Sequence, residues 1–70
     1  MMSNMPSKVV HHNARNSTVY HEDGGRTEIH TDREGNHRAQ HYDREGNPGD
    51  AIDGAPGHTH NEYVEEHVQR

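Results

Sequence analysis

Residues 27–47, TEIHTDREGNHRAQHYDREGN, hold one turn written twice: Asp32-Arg33-Glu34-Gly35-Asn36 returns as Asp43-Arg44-Glu45-Gly46-Asn47, 11 positions later. Carried in both directions, the same interval brings Gly24, Gly35, Gly46 and Gly57 into phase. Glycine at a fixed interval, with strand-compatible residues between, indicates a strand-and-turn repeat. The turn chemistry agrees. A type I turn over Asp32-Arg33-Glu34 needs a left-handed residue next, which Gly35 supplies without a Cβ penalty. Asp32, at the first turn position, is placed to accept a hydrogen bond from the amide two residues on. Arg33-Glu34-Gly35 is thus a three-residue hairpin loop joining strands 26–31 and 37–42, and Arg44-Glu45-Gly46 repeats it.

These loops dictate a register. Thr31 should face His37, Ile29 should face Ala39 and Thr27 should face His41. In the hairpin turned by Asp23-Gly24-Gly25, Val19 should face Thr27 and Tyr20 should face Arg26. One sheet face then carries Val19, Thr27, Ile29, Ala39 and His41. The other carries a Tyr20–Arg26–Tyr42 ladder with Glu28, His30, Arg38 and Gln40. Stacking of Arg26 on a tyrosine is worth about 0.5–1 kcal/mol at an exposed site. A meander this polar is barely stable alone, and its weakly apolar face is the expected docking surface.

Outward from this repeat the signals thin. Residues 1–8 read as a flexible arm with Pro6 and no period. Val9-Val10 opens a possible short strand, and 18–22 (TVYHE) is β-branched and aromatic, a clear strand. Beyond Asn47, Pro48 and Gly49 weaken any further strand because proline removes a ladder donor. Residues 50–58 read as loop. Thr59 and Glu62 then match a capping box opening a short helix over 59–70, with Tyr63, Val64, His67 and Val68 on one stripe. The expected fold is mainly β: a small antiparallel meander of three to four strands over 9–49, with an N-terminal arm and a short amphipathic C-terminal helix.

Seventy residues allow one small domain, and only 24% are hydrophobic, with no Phe, Trp or Cys. Such a composition leans toward disorder, so order calls for an oligomer, a partner surface or a metal. The absence of cysteine excludes disulfides and thiolate metal sites. No apolar run suits a signal peptide or a membrane span, which suggests a soluble protein. The net charge of −5 argues against a basic nucleic-acid face, yet nine histidines would carry it to +4 if all were protonated.

The stretch from Thr31-Asp32-Arg33-Glu34-Gly35 to Tyr42-Asp43-Arg44-Glu45-Gly46-Asn47 resembles the YD repeat of Rhs-type and teneurin-like proteins, in which Tyr-Asp, two residues and Gly recur on successive hairpins. The resemblance covers residues 18–47. It implies the strand-and-turn geometry, and Thr31 stands where the first tyrosine would be.

Chemistry-bearing groups are mostly histidines. His58 and His60, spaced i, i+2 with His67 following, are candidate ligands for zinc or another divalent transition metal. His37 and His41 share a sheet face and form a second candidate, with His21 and His30 nearby in sequence. Nothing resembles an activated serine motif or a phosphate-binding glycine loop, so no enzyme activity is expected. The leading expectation is a non-catalytic structural or interaction protein, ordered by homo-oligomerisation or by docking on a larger assembly such as a virion or fibre. Its interface would comprise Val19, Thr27, Ile29, Ala39, His41, Tyr63, Val64 and Val68. The rivals are a histidine-rich metal-binding module and a small phage-type inhibitor acting through Arg33, Arg38, Arg44 and the strand histidines.

Overall fold

A computed structural model describes residues 7–54 and 57–68. Five strands, β1 (Lys8–Asn13), β2 (Asn16–Tyr20), β3 (Arg26–Thr31), β4 (His37–Tyr42) and β5 (Pro48–Gly54), form one antiparallel sheet in sequence order. One helix, α1 (His60–Val68), follows and lies across β2 and β3.

The hairpins follow the turn chemistry. Gly24, Gly35, Gly46 and Gly57 are the positive-φ residues among those described, with Gly35 at 91°. In the β3–β4 loop the Gly35 amide donates to the Asp32 carbonyl at 3.2 Å and the Asp32 amide to the Asn36 carbonyl at 2.9 Å. Asp32 Oδ1 accepts from the amides of Glu34 and Asn36, each at 2.9 Å. Asp43 repeats both bonds with Glu45 and Asn47. The β2–β3 loop closes in the same way, from the His21 amide to the Gly25 carbonyl and from the Gly24 amide to the His21 carbonyl. With three loops of one type, the register is the expected one. Val19 faces Thr27 and Tyr20 faces Arg26. Thr27 faces His41, Ile29 faces Ala39 and Thr31 faces His37.

Burial alternates along β3 and β4, as a sheet covered on one face requires. Val19, Ile29 and Ala39 point to the covered face and pack under Tyr63 and Val64 of the helix, with Val9 and Val68 partly buried beside them. Each fully buried Val or Ile is worth about 1.5–3 kcal/mol. The helix starts as a capping box: the Glu62 amide donates to Thr59 Oγ1 at 3.1 Å, and the Thr59 amide donates to Glu62 Oε1 at 2.8 Å.

Three expectations need correction. Residues 50–54, read as loop, belong to β5. Pro48 is tolerable there because it is the first residue of an edge strand, where a missing donor breaks little. The arm assigned to 1–8 ends earlier, since Lys8 already pairs with Tyr20; residues 1–6 lie outside the described residues, as do 69 and 70 of the expected helix. Finally, the weakly apolar sheet face does not await a partner. The chain's own helix covers it, so Val19, Thr27, Ile29, Ala39, Tyr63 and Val64 are buried inside the molecule, and Val68 is half-buried. Of the expected interface set, only His41 stays exposed.

Candidate functional site

The space between sheet and helix is closed by polar side chains as much as by apolar ones. Ser17, Thr27, Thr31, His37, His60 and His67 are all buried on this side. Strand alternation puts Ser17 (β2), Thr31 (β3) and His37 (β4) on the covered face, in line with Val19, Ile29 and Ala39. On α1, His60, Tyr63, Val64 and His67 fall at i, i+3, i+4 and i+7, one stripe facing the sheet.

These groups form a continuous hydrogen-bond chain. His37 Nε2 lies 2.8 Å from the His58 carbonyl, and His37 Nδ1 lies 2.8 Å from Thr31 Oγ1. Thr31 Oγ1 is 2.7 Å from His60 Nδ1, and His60 Nε2 is 2.8 Å from Ser17 Oγ. Ser17 Oγ is 2.7 Å from Nδ1 of His11 on β1. A carbonyl only accepts, so His37 Nε2 donates to it and the neutral ring's Nδ1 must accept from the Thr31 hydroxyl. Thr31 in turn accepts from His60 Nδ1, which leaves His60 Nε2 to accept from Ser17 and Ser17 to accept from His11. One carbonyl therefore sets the tautomer of three imidazoles. Every buried side-chain nitrogen and oxygen among the described residues has a partner.

Rings extend the packing. Tyr63 stacks on His37 with centroids 4.6 Å apart and planes at 13°, and His67 meets Tyr63 edge-on at 4.7 Å. Burial, reinforced by His11, His37 and His30, holds the His60 imidazole below its ordinary pKa. A smaller cluster lies nearby: Thr27 Oγ1 is 2.7 Å from His21 Nε2 and 3.4 Å from His41 Nδ1.

The candidate metal ligands do not converge. Thr59 caps the helix, so His60 is the first helical residue and turns inward, where Ser17 and Thr31 occupy both ring nitrogens. His58 turns outward to Glu62 and Glu66 at 3.8 and 3.9 Å. His67 is buried against Tyr63. Among the described residues no three His, Cys, Asp or Glu side chains are placed to hold an ion. The structure does not bring His58, His60 and His67, the expected zinc ligands, together: the capping box that the sequence displays is what separates the pair. His37 and His41 share a face, but His37 is tied to Thr31 and His58 while His41 sits beside His21. Ser17, His60 and Thr31 have the pairing order of an activated serine, yet Ser17 is 2% exposed and offers a substrate no approach.

The opposite face is open. A groove of about 350 Å³ is lined by His12, Asn16, Thr18, Glu28, His30, Arg38 and Gln40, among others. Its polar groups are largely paired already: His12 with Thr18 at 2.8 Å, His30 with Asn16 at 2.7 Å and Arg38 with Asp53 at 3.7 Å. Toward the other end of this face, the Arg26 guanidinium lies 4.2 Å above the Tyr42 ring and its Nε 3.1 Å from Glu28, so the expected arginine–tyrosine stack is present with Tyr42. Of the arginines proposed for an inhibitor surface, Arg38 lies on this groove, while Arg33 and Arg44 sit in exposed loop tips.

Among the described residues, no helix is long and apolar enough to cross a membrane. The sequence missed the role of His60 and Ser17. A signal was present, since His60 extends the helical stripe of Tyr63, Val64 and His67 by one turn. No family model, curated protein or solved structure matches the chain.

Proposed function

We propose that the chain is a non-catalytic interaction protein that assembles through the outer edge of β5, with a second copy as its first partner. The observation that carries this reading is that exposed terminal strand, of which the Gly49 and Ile52 carbonyls accept from the Gln40 and Tyr63 side chains. β5 is terminal in the sheet, Pro48 through Asp53 are all exposed, and Ile52 retains 47% of its surface. An unpaired edge presents a row of backbone donors and acceptors that template another strand. Both edge strands carry one register shift, β1 between His11 and Asn13 and β5 opposite Gln40 to Tyr42, and a bulge bends an edge locally. In β5 the pairing with β4 is regular from Ala51 to Gly54.

Two β5 strands meeting antiparallel are related by a two-fold axis perpendicular to the sheet. Both helices then lie on one face of a continuous sheet, and the two Ile52 side chains meet near the axis as a cross-strand pair. Asp53 already has Arg38 beside it, which offsets part of the acidic charge on this strand. Burial of the helix-side core within one chain supports edge pairing over face docking as the mode of assembly.

Light scattering coupled to size exclusion tests this with the full chain and Ile52→Lys. The substitution sits on an exposed side chain and puts a charge on the axis, so the expected result is a dimer that becomes a folded monomer. A wild-type monomer at high concentration, or a dimer indifferent to Ile52→Lys, refutes the reading.

A further inference from the structure

The chain of side chains beneath α1 has a fixed inventory of protons. Five bonds link His11, Ser17, His60, Thr31, His37 and the His58 carbonyl, and with neutral rings each bond holds one hydrogen. A proton added to His60 Nε2 requires Ser17 to turn its hydrogen toward His11 and His11 to carry its own on Nε2 instead. A proton added to His37 forces the same reversal further along. In either case the extra charge is accommodated only while His11 Nδ1 is bare. His11 is exposed, so solvent protons reach the chain through it. Once His11 and an inner ring are both charged, two hydrogens face each other on one bond.

Among the described residues, no carboxylate is paired with His60 to offset a positive charge. β1 presents His11, with ring centroids 6.4 Å away; β2 presents Ser17, β3 presents Thr31, with His30 on its far face, and β4 presents His37. On its own side are Tyr63 and His67 of α1 and His58 in the turn before it. The carboxylate of Glu62 is committed to the Thr59 amide, and Glu65 and Glu66 are on the exposed side of the helix. The β2–β3, β3–β4 and β4–β5 hairpins, by contrast, keep ladders and loops that do not pass through this chain.

We propose that the histidine–hydroxyl chain is an acid-operated latch: when it takes up a second proton, α1 lifts from the sheet and uncovers Val19, Ile29 and Ala39. The direction follows from linkage. His60 binds a proton less readily docked than released, so the docked state loses ground as pH falls below the ~6.5 of a free imidazole toward the lower value of the docked ring, and no further below that. Glu62 acts in a separate and more acidic window. Its carboxylate is held below the ordinary value by the Thr59 amide, so its contribution is present above that ordinary value and is lost as pH falls through the lowered one. The latch stands apart from β5 assembly, since it is read within one chain.

Backbone amide exchange followed by NMR on the full chain, from about pH 7.5 to about pH 5.5, tests the latch; each proton taken up changes the opening equilibrium by up to about tenfold per pH unit. After correction for intrinsic exchange, α1 amides should lose protection at least about tenfold more than those of β3 and β4. His60→Gln, which keeps a side-chain donor and acceptor but cannot titrate, should reduce this pH dependence by the part His60 carries, and a pH dependence equal to that of the unaltered chain overturns the latch; His12→Gln on the open face should leave it unchanged. Helix and strand amides losing protection together, or a helix indifferent to pH, overturns the latch. If His60→Gln does not fold, the His60 Cε1 resonance of the unaltered chain decides: helix release should coincide with its titration, and titration without helix release overturns the proposal.

Discussion

Thr31→Val changes one atom group at the centre of the buried chain and nearly preserves volume. The Thr31 hydroxyl makes two bonds, to His60 Nδ1 at 2.7 Å and to His37 Nδ1 at 2.8 Å, from a residue only 7% exposed. Removing it leaves a buried donor on one ring and a buried acceptor on the other. Each such group costs about 1–3 kcal/mol, since neither water nor another partner replaces the lost bond. The added methyl returns about 0.8 kcal/mol of apolar burial, so the net loss is about 1–5 kcal/mol. Neither tautomer of His60 escapes this, because flipping its proton only exchanges an orphan donor for an orphan acceptor. Thr18→Val is the matched control: Thr18 is also buried, but it makes a single bond to His12 at the open face, and its loss should cost less. Urea unfolding followed by circular dichroism gives both values. A Thr31→Val loss under about 0.5 kcal/mol, or one equal to that of Thr18→Val, would refute the role given to the buried chain.

Further outcomes follow from the loops and the cap. Gly46→Ala meets no atom within 4 Å but must hold a φ of 88°, so the loss of about 1–3 kcal/mol expected in thermal melts is backbone strain alone. Thr59→Ala removes the acceptor of the Glu62 amide and should cost about 0.5–2 kcal/mol, with helix amides losing more protection than strand amides. Asp32 and Asp43 are held below the ordinary carboxylate value, chiefly by the amides of Asn36 and Asn47. Their stabilisation is present above that ordinary value and is lost as pH falls through the lowered one, so Asp32→Ala with Asp43→Ala should flatten the acid limb of a stability–pH curve. Gly54→Ala would put its Cβ 2.6 Å from the Tyr63 ring, so near-ultraviolet dichroism should report a displaced tyrosine.

The strand register was legible because a single device repeats. One aspartate-to-glycine loop, set at intervals of 11, aligns Val19, Thr27, Ile29 and Ala39 without any long-range information. The helix start was legible for the same kind of reason, since a capping box is local. The fifth strand was not. Pro48, Gly49, Asp50 and Gly54 have poor strand propensity, and β5 exists because β4 offers it a ladder on one side only. The buried site was hidden by composition. Histidine, serine and threonine carry no sequence signal for mutual burial, and only the crossing of α1 over β2 and β3 shows that each polar atom closes another. For the same reason His58-Thr59-His60 read as a ligand pair, when the helix start sends its two rings to opposite sides.

The tautomers of His37 and His60 test the directed chain most directly. Long-range nitrogen–proton NMR spectra at neutral pH distinguish a protonated ring nitrogen from a bare one. His37 should carry its proton on Nε2 and His60 on Nδ1, with the Nε2 of His60 bare. A His60 protonated on Nε2, or a His37 protonated on Nδ1, would contradict the chain that ties the helix to the sheet.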